Sequence, residues 1–410
     1  MSNAFQSITS GLAELKNYYQ GPIIDLINED IPVYRACEKI KQGWSGYQVV
    51  RPLRTPRNQG VGATSDGGVL PKIGRQTTTQ AIIAAKFNYL RFGVTGPMIK
   101  ASQSDIGSFV RSAAYELEMG YKDLKNEISR QLCWNGRGDL ATVYTAAVAS
   151  NVLVISGRTS AEPALKYIDV NSTFDIIDTN STLIASGITV SSISSGTASS
   201  ATATLVLDQP ITASANYILI RSGSNGQEIQ GLFYALDGAT TTIYNVDRSA
   251  NLAFQGNVTD LSTAAKPLLS IDAMQTPFNE GLRRGNVNSY NAAYCDFTSL
   301  RYYQKLLTPD KRYSNAVEGD GTFGKKGKFY MDFNGIAMVP DKDMPLRIAM
   351  LPAEVLKMYE LAAMEFADET GSMYIAQSDV DALEVRVRHF TNLFNEQPAA
   401  CAVLQGYLSP

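Results

Sequence analysis

One run of residues limits the fold before any other. Between residues 106 and 132 apolar side chains return every third or fourth position: Ile106, Val110, Ala113, Leu117, Tyr121, Leu124, Ile128 and Leu132. Glu116, Glu118, Lys122, Asp123, Lys125, Glu127 and Arg130 fill the other faces, so the spacing predicts one continuous amphipathic helix. Ser102 or Ser104 can cap its start, and Asn135-Gly136 followed by Gly138 can end it. About 28 residues at 1.5 Å each make a rod roughly 42 Å long, on which a flat subunit can be built.

Behind the helix the composition changes abruptly. No charged residue occurs between Asp178 and Asp208, and the stretch from 143 to 231 is rich in Ser, Thr, Ala, Val and Ile. Short β-branched runs at 187–190 and 204–207, separated by turns, predict a small all-β barrel or sandwich rather than low-complexity disorder. Mixed patterning then resumes. Helices are expected over 263–284 and 297–307, and Leu383, Val385 and Val387 alternate with Glu384, Arg386 and Arg388 as a half-buried strand. Residues 11–30 read as a short helix ending near Pro32. The fold class is therefore α+β with an inserted all-β module, in a chain of 410 residues that can bury a sizeable core.

Charge is uneven although the net is only -3. Arg51, Arg54, Arg57, Lys72, Arg75, Lys86, Arg91 and Lys100 face a single acid, Asp66, over 51–100. In the first 30 residues Glu14, Asp25, Glu29 and Asp30 face Lys16 alone. Extended runs at 47–53 and 80–94 flank Gly60, Gly62, Gly67, Gly68 and Gly74, which predicts a long hairpin with a mobile tip and little core of its own. An acidic arm and a basic loop on one chain are complementary surfaces for identical neighbours. The contact candidates are Arg51, Arg54, Arg57, Lys72 and Arg75 on the loop and Asp25, Glu29 and Asp30 on the arm, while a solvated face is the plainer account of any one run.

Other motifs point away from chemistry. Cys37, Cys133, Cys295 and Cys401 share no metal spacing and read as buried apolar residues, and the single His389 lies in a strand-like segment with no nucleophile paired to it. The glycine-rich tip lacks the Gly-Lys-Ser/Thr of a phosphate loop, and Asp368, Glu369, Asp379 and Asp381 lack the spacing of a calcium loop. Arg137-Gly138-Asp139 falls where a turn is expected, and the sequons at Asn171, Asn180 and Asn257 are a chance product of a Ser/Thr-rich chain. No run is long and apolar enough to span a membrane, and no signal-peptide pattern opens the chain. No catalytic, cofactor or metal site is expected, and an enzyme acting on nucleic acid would need constellations that are missing.

The order of these elements resembles the major capsid proteins of tailed bacteriophages with the Hong Kong 97-type fold. The hairpin tip is similar to that family's E-loop in Gly60-Val61-Gly62-Ala63 and Gly67-Gly68-Val69-Leu70-Pro71, followed by Val94-Thr95-Gly96-Pro97 and Ile99-Lys100-Ala101-Ser102. Leu124, Asn126, Arg130, Gln131 and Leu132 match its spine helix, which closes on Trp134-Asn135-Gly136. Gly231-Leu232, Asp247-Arg248, Phe333-Asn334-Gly335, Asp341 to Met344, Leu351-Pro352, Phe390-Thr391-Asn392-Leu393 and Gln397-Pro398 follow in the family's order.

The resemblance implies an N-terminal arm (1–46), E-loop hairpin (47–99), spine helix with the first part of a P-domain (100–142), β-rich insertion domain (143–232), A-domain (233–352), P-domain return (353–396) and C-terminal A-domain strand (397–410). It implies a non-enzymatic subunit that assembles as hexamers and pentamers into an icosahedral head around double-stranded DNA, in the cytoplasm of a bacterial host. Partners would be copies of itself, a portal at one vertex, packaged DNA by non-specific contact and, in some shells, a decoration protein, with no membrane. The hairpin begins near residue 47, which leaves no room for a long built-in scaffolding segment and implies a separate scaffolding protein. Lys72 lies near the tip, but no motif identifies an acceptor for a covalent cross-link. The alternative is a β-rich virion accessory or tail structural protein, which the long helix disfavours.

Overall fold

The computed structural model describes residues 31–40, 48–54, 57–95, 112–159, 162–197, 199–237, 241–263, 267–307, 331–367, 374–376 and 381–409, with 44, 46 and 97 besides. The expected helix over 11–30, the acids Asp25, Glu29 and Asp30, and most of the 368–381 acidic cluster lie outside these residues. Pro32 opens a short helix, α1 (Pro32–Ala36), where its missing N–H costs nothing. Strands β1 (Glu38–Ile40), β2 (Gln48–Arg54), β3 (Thr78–Ala84) and β4 (Lys86–Thr95) follow, and then the long helix α2 (Ser112–Leu132). The expected start of that helix falls outside the described residues.

Helix α2 buries Leu124, Ile128 and Leu132 against Val33 and Cys37 near α1 and against Met358, Val387 and Leu393. Each such side chain contributes about 1.5–3 kcal/mol on leaving water. Gly120 lets the helix close on the sheet, since a Cβ there would stand 2.9 Å from Leu90 Cδ2. Gly136, at φ +81°, and Gly138, at φ +101°, turn the chain after the helix as expected.

The turn leads into a closed six-stranded antiparallel barrel of β5 (Asp139–Thr145), β6 (Ala147–Ser156), β7 (Thr173–Ile177), β8 (Leu183–Ser195), β9 (Thr202–Ala213) and β10 (Ile218–Arg221), in the order β10-β5-β6-β9-β8-β7. The barrel thus runs from 139 to 221, whereas composition alone placed the β-rich stretch at 143–231. Asp139 was missed because it is charged, yet it opens the first barrel strand. At the other end, α3 (Leu232–Leu236) packs into the core around α2, not into the barrel.

A small ribbon, β11 (Thr242–Ile243) with β12 (Val246–Asp247), precedes a second α/β layer. It comprises β13 (Asn257–Asp260), α4 (Ile271–Arg284), β14 (Ala292–Cys295), α5 (Phe297–Leu307), β15 (Met331–Phe333), β16 (Ile336–Pro340) and β17 (Arg347–Leu351). Its sheet runs β13-β21-β17-β14-β16-β15, completed by β21 (Ala402–Gln405). Helix α5 has the expected bounds, with the Asp296 carboxylate accepting from the amides of Thr298 and Ser299. Helix α4 starts at 271 and not at 263, because Leu268 bridges Leu408 in extended backbone and Ser270 caps the helix through Ala273 N.

The remaining sheet joins β1, β18 (Leu356–Phe366), β19 (Tyr374–Ala376), β20 (Ala382–Asn395) and β4. Val385 and Val387 are buried as the alternation predicts. Glu384 is buried too, because Arg91 and Arg386 both pair with it.

Candidate functional site

The basic hairpin is built differently from the single long ribbon that the sequence suggests. Its ladder runs only from Gln48 opposite Ala84 to Arg54 opposite Thr78, and the return strand breaks at Ala85. Beyond the break, β4 leaves the hairpin and pairs with β20 over ten residues, from Lys86 opposite Thr391 to Thr95 opposite Ala382. Ala81 and Ile83 anchor the hairpin base in a cluster with Tyr244, Phe254, Tyr359 and Phe394, so the base does have a core, lent by the body. The amide of Ile82 donates to Tyr244 O at 2.8 Å.

The charge excess is smaller than the sequence count. Lys86 and Arg91 belong to β4: Lys86 Nζ donates to Gly226 O at 2.7 Å and Arg91 pairs with Glu384. Lys100 lies outside the described residues. Arg51 pairs with Glu396 of its own chain at 2.9 Å, so it is committed within the subunit. Arg54, Arg57, Lys72 and Arg75 are exposed, and none has an ion pair among the described residues. These four are the sequence-predicted contacts that the structure leaves at the surface.

Sequence reasoning missed the apolar character of the tip. Val61, Val69, Leu70 and Ile73 are 84%, 95%, 75% and 103% exposed, a density of bare aliphatic surface uncommon on a lone loop. The tip's glycines also have steric work to do. Asn58 Oδ1 accepts from Gly60 N at 2.8 Å, and a Cβ on Gly74 would stand 1.9 Å from that Oδ1. The two limbs therefore cross where only glycine fits, and Arg57 and Arg75 flank the crossing. Gly67, at φ +69°, turns the end, with Gly68 N donating to Ser65 O at 2.9 Å.

A second unforeseen feature joins barrel to body. Arg130 stands about 200° around α2 from Ile128, on the face where a solvated charge is expected. It is 1% exposed instead, because the segment leaving the barrel and Asp139 entering it cover that face. Its guanidinium pairs with Glu127 and with the buried Glu228, and reaches Asp139 O at 3.3 Å. Burial pushes the Glu228 carboxyl up to about 7 against the pull of Arg130. Glu127 is held at about 2: burial opposes ionisation there, but Arg130 and Arg221 outweigh it. Arg158, also buried, donates to Glu162, Tyr167 and Asp343 O, and lies 4.5 Å over the Trp134 ring. Glu127 and Glu162 are local partners, but Glu228 and Asp343 O reach these arginines from distant segments that no local pattern shows.

The remaining motifs have structural placements. Arg137 and Asp139 of the Arg-Gly-Asp tripeptide pair with each other at 2.6 and 2.7 Å, with Asp139 buried. Asn257 is buried and donates to Pro277 O, which closes that sequon. All four cysteines are free and buried. His389 is fully buried, 3.6 Å from Glu360. No described helix is long and apolar enough to cross a membrane.

No family model and no curated protein matches the chain. Solved structures do. The fold is shared with a subunit of the cyanophage A-1(L) capsid asymmetric unit, with a TM-score of 0.62, 12% identity and 98% of this chain against 99% of that one. The capsid of a native GTA particle matches with a TM-score of 0.55 at 8% identity, and that of an empty GTA particle with 0.54 at 8%, each over 100% of both chains. The chain therefore has a phage-capsid-type fold along nearly its whole length.

Proposed function

We propose that this chain is the major capsid protein of a tailed bacteriophage, a structural subunit that associates with copies of itself to form the head shell. The observation that carries the reading is the shared fold over 98% of the chain with a subunit of a phage capsid. In this reading the hairpin over 48–84 is the E-loop, α2 the spine helix, the sheet around β20 the P-domain, the sheet around β17 the A-domain, and the barrel an insertion domain. Hexamers and pentamers enclose double-stranded DNA, with a separate scaffolding protein, a portal and, in some shells, a decoration protein as partners, all assembled in the bacterial cytoplasm.

The tip supports self-association on physical grounds. Four exposed aliphatic side chains and four cations without an ion-pair partner among the described residues stand on a glycine crossing. Apolar burial against a neighbouring copy would supply contact energy, and the cations would steer and register it. Replacing Arg54, Arg57 and Arg75 together by Gln tests this, with Arg51→Gln as the control for a cation already paired in its own chain. Light scattering across ionic strength should show weaker and less salt-sensitive assembly in the triple variant, and near-parental assembly in the control. Identical assembly of triple variant and parent at every salt concentration would remove the cations from the contact.

A further inference from the structure

Three Asn-Gly pairs occur in the sequence, at 135–136, 225–226 and 334–335. Such a pair can react with itself, because glycine brings no Cβ into the path of ring closure. Hydroxide removes the glycine N–H proton, and the nitrogen attacks the asparagine Cγ. The Cγ–Nδ2 bond breaks, ammonia leaves with a proton taken from water, and a five-membered succinimide closes. Water then opens the ring at one of its two carbonyls. The products are aspartate and isoaspartate, the second with one more carbon in the main chain, and in both an uncharged amide has become a carboxylate.

The fold treats the three pairs differently. Gly136 is buried, and a Cβ there would stand 3.0 Å from Ile229 O, so a ring has no room. Asn135 Oδ1 is also held, accepting from Arg137 N at 3.1 Å. Asn334 and Gly335 form the two-residue turn between β15 and β16, at φ +52° and +77°, with Phe333 and Ile336 paired across it. Ring closure must rotate Asn334 out of that turn, and the ladder resists it. Gly226 is exposed, and a Cβ on it would meet nothing within 4 Å. Its N–H has no hydrogen bond among the described residues. No ladder flanks the pair, which lies between β10 and α3 in a turn closed by Gln227 N donating to Ser224 O at 3.0 Å. The Asn225 side chain has one tie, from Nδ2 to Ser181 O at 2.9 Å in the turn between β7 and β8.

We propose that Asn225 is a site of spontaneous conversion to isoaspartate and aspartate, and that the conversion loosens the segment by which the chain leaves the barrel. The amide that donates to Ser181 O becomes a carboxylate, so an acceptor then faces an acceptor and the tie is lost. In isoaspartate the extra main-chain carbon also displaces Gly226, whose carbonyl accepts from Lys86 Nζ at 2.7 Å. The segment thereby loses a tie to the barrel and one to β4. This goes beyond self-association and needs no second copy.

The test incubates the full chain at pH values from about 7 to about 9 and maps its peptides by mass spectrometry, where amide-to-acid conversion adds about 1 Da. Chromatography separates isoaspartate from aspartate. Conversion is expected first at Asn225, faster at higher pH because hydroxide starts the reaction. At Asn334 it should be about tenfold slower, which corresponds to ~1.4 kcal/mol of local opening. Asn135 should be slowest. Asn225→Gln should abolish the product at this position, since the longer side chain closes a six-membered ring far more slowly. Asn225→Asp carries the carboxylate from the start, so fresh protein should already show faster amide exchange over 222–230 and in the turn between β7 and β8, as aged parent does, with β18 and β20 unchanged. Thermal melting confirms that both variants fold. Conversion at Asn334 or Asn135 ahead of Asn225, or none at Asn225 while a free peptide of residues 221–230 converts fully, would overturn the site. Unchanged exchange in both aged parent and Asn225→Asp would overturn the effect on the segment. Light scattering of the same samples reads shell formation separately, so a failed site and a failed shell are distinguishable.

Discussion

The barrel and the basic hairpin are both excursions from one α/β body, and they are stabilised in opposite ways. The barrel closes six strands on its own interior, with Leu153, Ile155, Phe174, Ile176, Ile188 and Leu205 at or near zero exposure. The hairpin has two strands, and its buried residues, Ala81 and Ile83, rest on Tyr244, Phe254 and Phe394 of the body. Past Arg54 and Thr78 the ladder ends, and the tip carries its aliphatic side chains bare. A two-stranded ribbon is marginal by itself, so the tip has little apolar burial within the subunit, whereas the barrel has its own core. An insert that satisfies itself needs nothing from a neighbour, whereas a ribbon with bare aliphatic side chains gains by covering them.

The largest effect is expected where barrel and body meet. Arg130→Ala leaves the buried Glu228 without the cation that compensates its burial and Glu127 with Arg221 alone, and should cost about 3–5 kcal/mol. Chemical denaturation would measure it. A loss below about 1 kcal/mol would mean that the barrel is attached by something other than this network. Next in size, Leu153→Ala empties space at the centre of the barrel and should cost roughly 2–5 kcal/mol. Amide exchange should then quicken in β5 to β10 and stay unchanged in β18 and β20. Faster exchange spread equally through both regions would show that the barrel is not self-contained.

The smallest expected effect is a pH dependence. Glu228 has a folded value of about 7, above its ordinary 4.5, so its contribution is fully present below 4.5 and is lost as pH rises through 7. Asp341, raised to about 6 chiefly by burial, acts in the same direction at lower pH. Glu127, held at about 2, contributes above its ordinary value and loses that contribution as pH falls through 2. Between pH 6 and 8 the Glu228 contribution dominates, so denaturation midpoints of the parent should fall with rising pH and those of Glu228→Gln should stay flatter. Parallel slopes in the two proteins would place the titration elsewhere.

Legibility in the sequence followed the range of the forces involved. Helix α2, helix α5 and strand β20 were readable because periodicity and caps are local, and the barrel because β-branched, charge-free runs are local too. Its first strand was misplaced by four residues because Asp139 is anchored by Arg137 and not by pattern. The single run at 80–94 hid a change of partner at Ala85, since nothing in its side chains says that β4 pairs with β20. At the candidate site the cations were visible but not their fates: Arg51 is paired through Glu396, which lies 345 residues away in sequence. Gly60 and Gly74 read as flexibility because the close crossing that requires them exists only in three dimensions.

If copies of this chain close into a shell through the hairpin tip, electron microscopy of the purified, expressed protein will show closed particles of uniform size, in whose reconstruction Val69, Leu70 and Ile73 of each copy are buried against a neighbour. Monomers at every concentration and salt condition, or closed particles in which those side chains remain bare, would contradict it.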